Sequence, residues 1–441
     1  MRSLRSPRAC LFAKEWRELM SSRAWWVMLG VMGPLVGMSF ISAVTAYGEL
    51  SGVNGTAAGV GEAFSPLIGI WAPTFSACEL AAAFLLPFVG IRLVSGDLQS
   101  GASKIEMQHP LSSRSRLLIK AAVLMCGWML ATLAPLIGVV LWMSYGGTVY
   151  TPELSTVLAG HVLNAGLTIA LAAAAAALTE HPATAAIVTL TVTVGTWLIN
   201  FAAAVNGGWW ERAARLTPTA MVAEFQRGLV RADLVMVALA LIVCGLAVAW
   251  TWLRLGLSAT KRAQLSVAAA IATVIVVFAA TRVTASWDAS ESRRNSFTKS
   301  EEAALAAITG DLHIEAHFAP EDPRRSDLEH NAFRKLRRAV PGVRIEYVSA
   351  TSVGLFEQTS EHYGEIQYEL SGKRDVSRIT TADGVLTSVL TLAGIGPPPE
   401  LDAEMFRGHP LAARPRGAAV IYYGVWPLAV AALAIMVQRR K

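Results

Sequence analysis

Eight apolar runs, each about twenty residues or longer, constrain what this chain can become more than any other feature. They cover 24–47, 74–94, 117–145, 154–178, 183–205, 234–255, 265–283 and 418–437. The hydrocarbon of a bilayer is about 30 Å thick and a helix rises about 1.5 Å per residue, so a run of this length crosses it as a single helix. Only 16% of the 441 residues are charged and 54% are apolar, whereas soluble domains carry about 25% charge. The expected fold class is therefore an α-helical polytopic membrane protein with about eight transmembrane helices. The first run is too long for the h-region of a signal peptide and follows a polar helix, so it reads as a span.

Charge sets the expected sidedness. The stretch 93–120, LVSGDLQSGASKIEMQHPLSSRSRLLIK, carries Lys104, Arg114, Arg116 and Lys120 against Asp97 and Glu106. An excess of Lys and Arg beside membrane ends marks the cytosolic side. The links 49–62 and 146–153 contain neither Lys nor Arg and belong outside. Alternation then leaves both termini in the cytosol, with Arg439, Arg440 and Lys441 as a basic stop. The net charge is +6, yet 286–416 holds 20 acids against 16 bases, so the positive excess sits on the membrane part. That suits anionic lipid and gives no reason to invoke nucleic acid. Cys10, Cys78, Cys126 and Cys244 form neither a disulfide framework nor a metal-ligand pattern.

Within this frame, 11–22 reads as an amphipathic interfacial helix. Phe12, Trp16, Leu19 and Met20 share one face, while Lys14 and Glu18 pair at i,i+4 on another. Gly33 and Gly37 make a GxxxG in the first span, which permits close helix approach, and Pro34 should kink it. Residues 103–108 read as a short helix stopped at His109-Pro110. Thr217 is a good N-cap, with Pro218 at the first helical position and Gly228 near the far end, so 221–227 is expected to be a short helix.

Among the polar side chains within the spans, Glu79, His161, Asn164 and Asn200 stand out. Intramembrane polar groups usually face a bundle interior or a water-filled path, which makes these the candidate translocation path. Plainer readings stand beside that one. Glu79 lies within a turn or two of the expected outer surface and can reach water, and one helical turn puts His161 and Asn164 on the same side as an interhelical hydrogen-bonding pair.

The insert 286–416 reads as an α/β domain. Thr298 with Glu301 is a capping box, 312–318 alternates as a strand, and Ser326 with Glu329 opens a second helix through 340. Strands at 343–348 and 365–370 follow, then a helix over 381–393 closed by Gly394, and a Pro-rich leash at 397–399. His313, Glu315 and His317 alternate along one strand face, a metal patch or simply a solvated face. Arg334, Lys335, Arg337 and Arg338 crowd one helical turn, either as a solvated face or against an anionic partner. No GxxxxGK[ST], HExxH or GxSxG occurs, since Gly372-Lys373 lacks the upstream Gly and the following Ser or Thr.

Three stretches resemble, in order, the parts of a type-2 (ABC-2) exporter permease. FAKEWRELMSSRAWW is similar to the elbow helix before that family's first span, the 93–120 wording to its first cytosolic loop, and LTPTAMVAEFQRGLVRAD to its short re-entrant outer helices. The resemblance implies an ATPase-coupling surface made of Lys14, Glu15, Arg17, Glu18, Ser103, Lys104, Glu106, His109, Pro110, Arg114 and Arg116. It also implies an outer re-entrant segment holding Thr217, Pro218, Glu224, Phe225 and Gly228. SWDASESRRNSFTKSEEAALAAI with DLHIEAHF, then YGEIQYELSGKRDVSRIT with TADGVLTSVLTLAG, resembles the auxiliary domain of gliding-motility-type ABC transporter components, in shortened form.

The expected organisation is a cytosolic elbow over 1–23, a six-span core over 24–256 and a seventh span over 257–285. An extracytoplasmic α/β domain over 286–416 and an eighth span with a basic tail over 417–441 complete it. The expected function is that of a cell-membrane permease subunit that dimerises with a second permease and moves a substrate, in the export direction. The chain itself is not an enzyme and binds no cofactor or metal. ATP and Mg sit on a separate ATP-binding subunit, and 286–416 meets an outer partner. The alternative is a permease-like scaffold that transmits state to envelope machinery and moves no solute.

Overall fold

A computed structural model describes residues 6–50, 65–99, 101, 111–179, 181–206, 209–283, 285–308, 310–319, 322–340, 342–348, 362–396 and 415–439. The short helix expected over 103–108 and the Pro-rich leash at 397–399 lie outside the described residues. The chain divides into two compact units, Met1–Ala289 with Gly408–Lys441, and Ser290–Arg407.

Among the described residues the larger unit holds eight helices long and apolar enough to cross a membrane: Arg23–Glu49, Leu67–Asp97, Ser113–Ser144, Thr151–Leu178, Pro182–Ala203, Ala232–Leu253, Ala259–Ala280 and Ala418–Arg439. This is the make-up of a multi-pass helical membrane protein. The first four spans form the core, where Trp25, Met32, Phe40, Phe75, Val123 and Trp142 are fully or almost fully buried. The fifth and seventh turn large apolar side chains outward, among them Ile187, Leu198, Phe201, Val274 and Phe278, as surfaces that face hydrocarbon do.

Several helix ends differ from the hydropathy reading. The second span begins seven residues before Thr74, because one wide turn over Leu67–Trp71 runs straight into Ala72–Gln99. Glu79 therefore lies twelve residues into its helix, about 18 Å from the start. The same helix continues past Val94 to Gln99, so Asp97 belongs to a span end and is buried. The third span is broken at Thr132, just ahead of Pro135, whose missing N–H cannot continue the ladder. The first span runs unbroken through Pro34.

The glycines of the GxxxG have a partner far along the chain. A Cβ on Gly33 would collide with the Trp426 indole, and one on Gly37 with the Tyr422 ring. The eighth span settles into this notch, with Trp426 Nε1 donating to Leu29 O at 2.8 Å and the Tyr422 hydroxyl donating to Ala134 O at 2.9 Å.

Between the fifth and sixth spans come two short helices, Trp209–Ala214 and Pro218–Gln226. Thr217 caps the second, accepting from Ala220 N at 3.3 Å, and Gly228 turns the chain at φ +81. A three-residue strand, β1 (Leu229–Arg231), then pairs antiparallel with β2 (Ser286–Asp288), the segment that leaves the seventh span. This ribbon was not anticipated. It keeps 286–289 with the membrane unit, so the compact α/β unit begins at Ser290 and not at Ser286.

The smaller unit is a four-stranded mixed sheet of β3 (Leu312–Ala316), β4 (Arg344–Tyr347), β5 (Ile366–Leu370) and β6 (Lys373–Ser377), in the order β4-β3-β5-β6. β3 runs parallel to β4 and antiparallel to β5. Leu312, Ile314 and Ala316 face inward and pack with Leu305, Phe333, Leu336, Val385 and Val389 from the helices. Both halves of the Thr298–Glu301 capping box are present, and Gly394 closes the last helix at φ +71.

Candidate functional site

The polar groups of the spans gather at two places in the membrane unit. Deep in the bundle, Glu79 from the second span meets His161 and Asn164 from the fourth. Asn164 Nδ2 donates to Glu79 Oε1 at 3.0 Å, and His161 Nδ1 lies 3.3 Å from Glu79 Oε2. The i,i+3 spacing that put His161 and Asn164 on one side of their helix aims both at the same carboxylate.

The short helix Pro218–Gln226 supplies a residue the sequence reading did not single out. Gln226 Nε2 donates to Ser76 Oγ at 2.8 Å and lies 3.3 Å from His161 Nε2. An amide NH2 only donates, so the imidazole Nε2 accepts and its proton rests on Nδ1, pointing at Glu79. Phe75 stacks on the His161 ring with centroids 5.5 Å apart. Phe225, fully buried, lies over Gly160, and its carbonyl accepts from Thr156 Oγ1 at 3.1 Å. A helix of nine residues spans about 14 Å and cannot cross, yet it reaches far enough in to close one side of the Glu79 site.

Asn200 does not join this group. It bonds Thr217 Oγ1 at 3.1 Å and so ties the fifth span to the cap of the short helix. Glu224 and Gly228 lie on the same segment, at and just beyond the end of the short helix. A cavity of about 320 Å³ adjoins Glu79 and Asn164, walled by the fourth, fifth and sixth spans and by Thr217 and Pro218.

The second cluster lies at the end of the bundle that carries the N-terminal helix, Pro7–Ser21. Lys120 Nζ donates to Glu15 Oε1 at 2.8 Å, to Leu93 O at 3.2 Å and to Asp97. Lys14 Nζ reaches Glu15 Oε1 at 3.1 Å, Glu18 Oε2 at 3.2 Å and Asp97 Oδ1 at 3.2 Å. Glu15, Asp97 and Lys120 are all buried. Burial pushes the Glu15 carboxyl above its ordinary range, against the pull of Lys120 and Lys14. Glu15, Glu18 and Asp97 stand close enough to hold a metal ion. Two ammonium groups already fill the space between them, which makes this an ion-pair network.

Of the expected coupling residues, Arg17 and Arg114 are exposed and Arg116 is half-buried, its Nη2 on Ser113 Oγ at 3.1 Å. Glu15, expected among the coupling residues, is turned fully inward, where it accepts from Lys120. Ser103, Lys104, Glu106, His109 and Pro110 lie outside the described residues.

In the α/β unit the His313–Glu315–His317 face builds no metal-binding group among the described residues. His313 has Glu315 at 3.7 Å and Glu346 at 3.8 Å, while His317 uses its backbone to pair with Gly364 and Glu365. The basic turn is occupied as well: Arg337 pairs with Glu329, Arg338 donates to Asn295 O, and Lys335 lies over the Phe297 ring. Compared with protein-family models, with curated proteins and with solved structures, the chain matches none.

Proposed function

We propose that this chain is the transmembrane permease subunit of an ABC transporter of the type-2 exporter class, driven by a separate ATP-binding subunit. One observation carries the reading: the buried Lys120–Asp97–Glu15 network ties the N-terminal helix to the ends of the second and third spans. A displacement of that helix cannot leave the two spans behind without stranding buried charge. Asp97 and Glu79 share one continuous helix eighteen residues apart, about 27 Å at helical rise, with Pro87 between them, so a tilt imposed at one end is carried along that helix toward the polar site.

In this reading the partner ATPase, holding ATP and Mg, docks on Arg17, Glu18, Arg114, Arg116 and the adjoining loop. A second permease completes the path, and the α/β unit meets a partner or cargo on the far side of the cell membrane. The cavity beside Glu79 favours movement of a solute over a purely force-transmitting scaffold, which has no need of one. The test is purification of the chain from its native membrane. A stoichiometric ATPase that is retained when Ser290–Arg407 is deleted, and lost on Arg114→Glu with Arg116→Glu, supports the reading. Absence of any associated ATPase overturns it.

A further inference from the structure

We infer that the cavity beside Glu79 binds an amphiphilic organic cation, its charged nitrogen against the Glu79 carboxylate and its apolar body along Leu167, Leu171, Leu216 and Trp197. The role of such a molecule as cargo rests on the permease reading; its binding does not. At about 320 Å³ the cavity is of the size that holds a small molecule, and its walls are mostly apolar.

Three features fix the sign of the charge it takes. Among the described residues, Glu79 is the one charged side chain in the lining, and no Lys or Arg lines the cavity. The groups that hold Glu79 are donors without charge: the Asn164 amide at 3.0 Å, and an imidazole whose other nitrogen faces the Gln226 amide. They orient the carboxyl group and bring no cation to it inside the bundle, where ionisable groups are normally paired. The hydroxyls around it are also turned toward cations. Thr168, Thr193 and Thr196 spend their protons on the carbonyls of Asn164, Thr189 and Thr193, at 3.0, 3.0 and 2.7 Å, so what remains for a ligand is oxygen lone pairs. An anion finds no free donor among these threonines. Trp197, braced edge-on by Phe84 with centroids 5.5 Å apart, adds an aromatic surface of the kind that attracts ammonium groups.

The experiment uses the full-length chain in lipid nanodiscs without nucleotide, with radiolabelled benzyltriethylammonium as probe and N,N-diethylbenzamide and benzenesulfonate as neutral and anionic competitors of similar build. The expected result is saturable binding of the cation, displaced by neither competitor. Glu79→Gln should weaken it about tenfold or more, with Glu79→Asp recovering part. Thr193→Leu, which fills the cavity and leaves the carboxylate in place, should abolish binding with an unchanged melting temperature, so a Glu79 variant that fails to fold does not decide the matter. Saturable binding that Thr193→Leu leaves intact, displacement by N,N-diethylbenzamide at the same concentration as by the cation, or no saturable binding at all overturns the inference. Because no ATPase is present, none of these results depends on whether a partner ATPase exists.

Discussion

Replacing Lys120 with Met puts the buried ion network to a quantitative test. In the native chain this ammonium serves Glu15 and Asp97 at once and also donates to Leu93 O. Among the described residues, its removal leaves two buried carboxylates with Lys14 alone, whose side chain is 40% exposed and therefore well solvated. Breaking a buried pair from one side costs about 3–5 kcal/mol, whereas replacing all of its members with neutral groups of similar volume is close to neutral. Lys120→Met should therefore lower the melting temperature of the detergent-purified protein by roughly 5–10 °C. The triple variant Lys120→Met, Asp97→Asn, Glu15→Gln should recover most of that loss. A single variant that melts with the wild type, or a triple variant that melts below the single, refutes the reasoning.

Other consequences follow from particular contacts. Gly33→Leu should cost about 1–3 kcal/mol by driving a side chain into Trp426, read as a lower melting temperature, while Gly30→Ala, where nothing lies within 4 Å, serves as the silent control. Burial raises Glu15 above the ordinary carboxylate range, so the folded chain holds that proton more tightly than the unfolded one. The linked stability grows as pH falls from the raised value toward the ordinary one and is lost as pH rises through the raised value. Melting temperature should accordingly climb in the wild type as pH is lowered toward the ordinary carboxylate range and flatten in Glu15→Gln. Thr298→Ala removes the hydroxyl half of a complete capping box, worth about 1 kcal/mol, and should speed amide exchange over Lys299–Ala306.

What could be read from sequence was what neighbours in sequence decide. Thr217 with Pro218, Thr298 with Glu301, and Gly394 all act on the turn they stand in, and each was legible. The alternation of Leu312, Ile314 and Ala316 gave the buried face of β3 for the same reason. Asp97 was misread as part of a solvated loop because hydropathy stops a helix where charge begins. The ammonium that makes its burial tolerable lies 23 residues further on, in the third span. The start of the Glu79 helix was not legible, because the wide turn at Leu67–Trp71, which lengthens it, leaves no mark that propensity or periodicity records. Its pairing with His161 and Asn164 was half visible, since the two share a helix face, but which helix they faced was not. Gln226 carried no signal at all, being one polar residue near the end of a short helix. The glycine notch announced a close approach without naming its partner, because Tyr422 and Trp426 arrive from the far end of the chain.

Coupling between the N-terminal helix and the carboxylate site is the claim on which the rest depends, and it is open to one direct measurement. With the chain and the ATP-binding subunit proposed for it in sealed vesicles, a cysteine introduced by Thr168→Cys on the cavity wall is alkylated with a membrane-impermeant maleimide, with and without ATP. The account predicts that nucleotide changes the alkylation rate and that Lys120→Met abolishes the change. A rate indifferent to nucleotide, or a change that survives Lys120→Met, contradicts it.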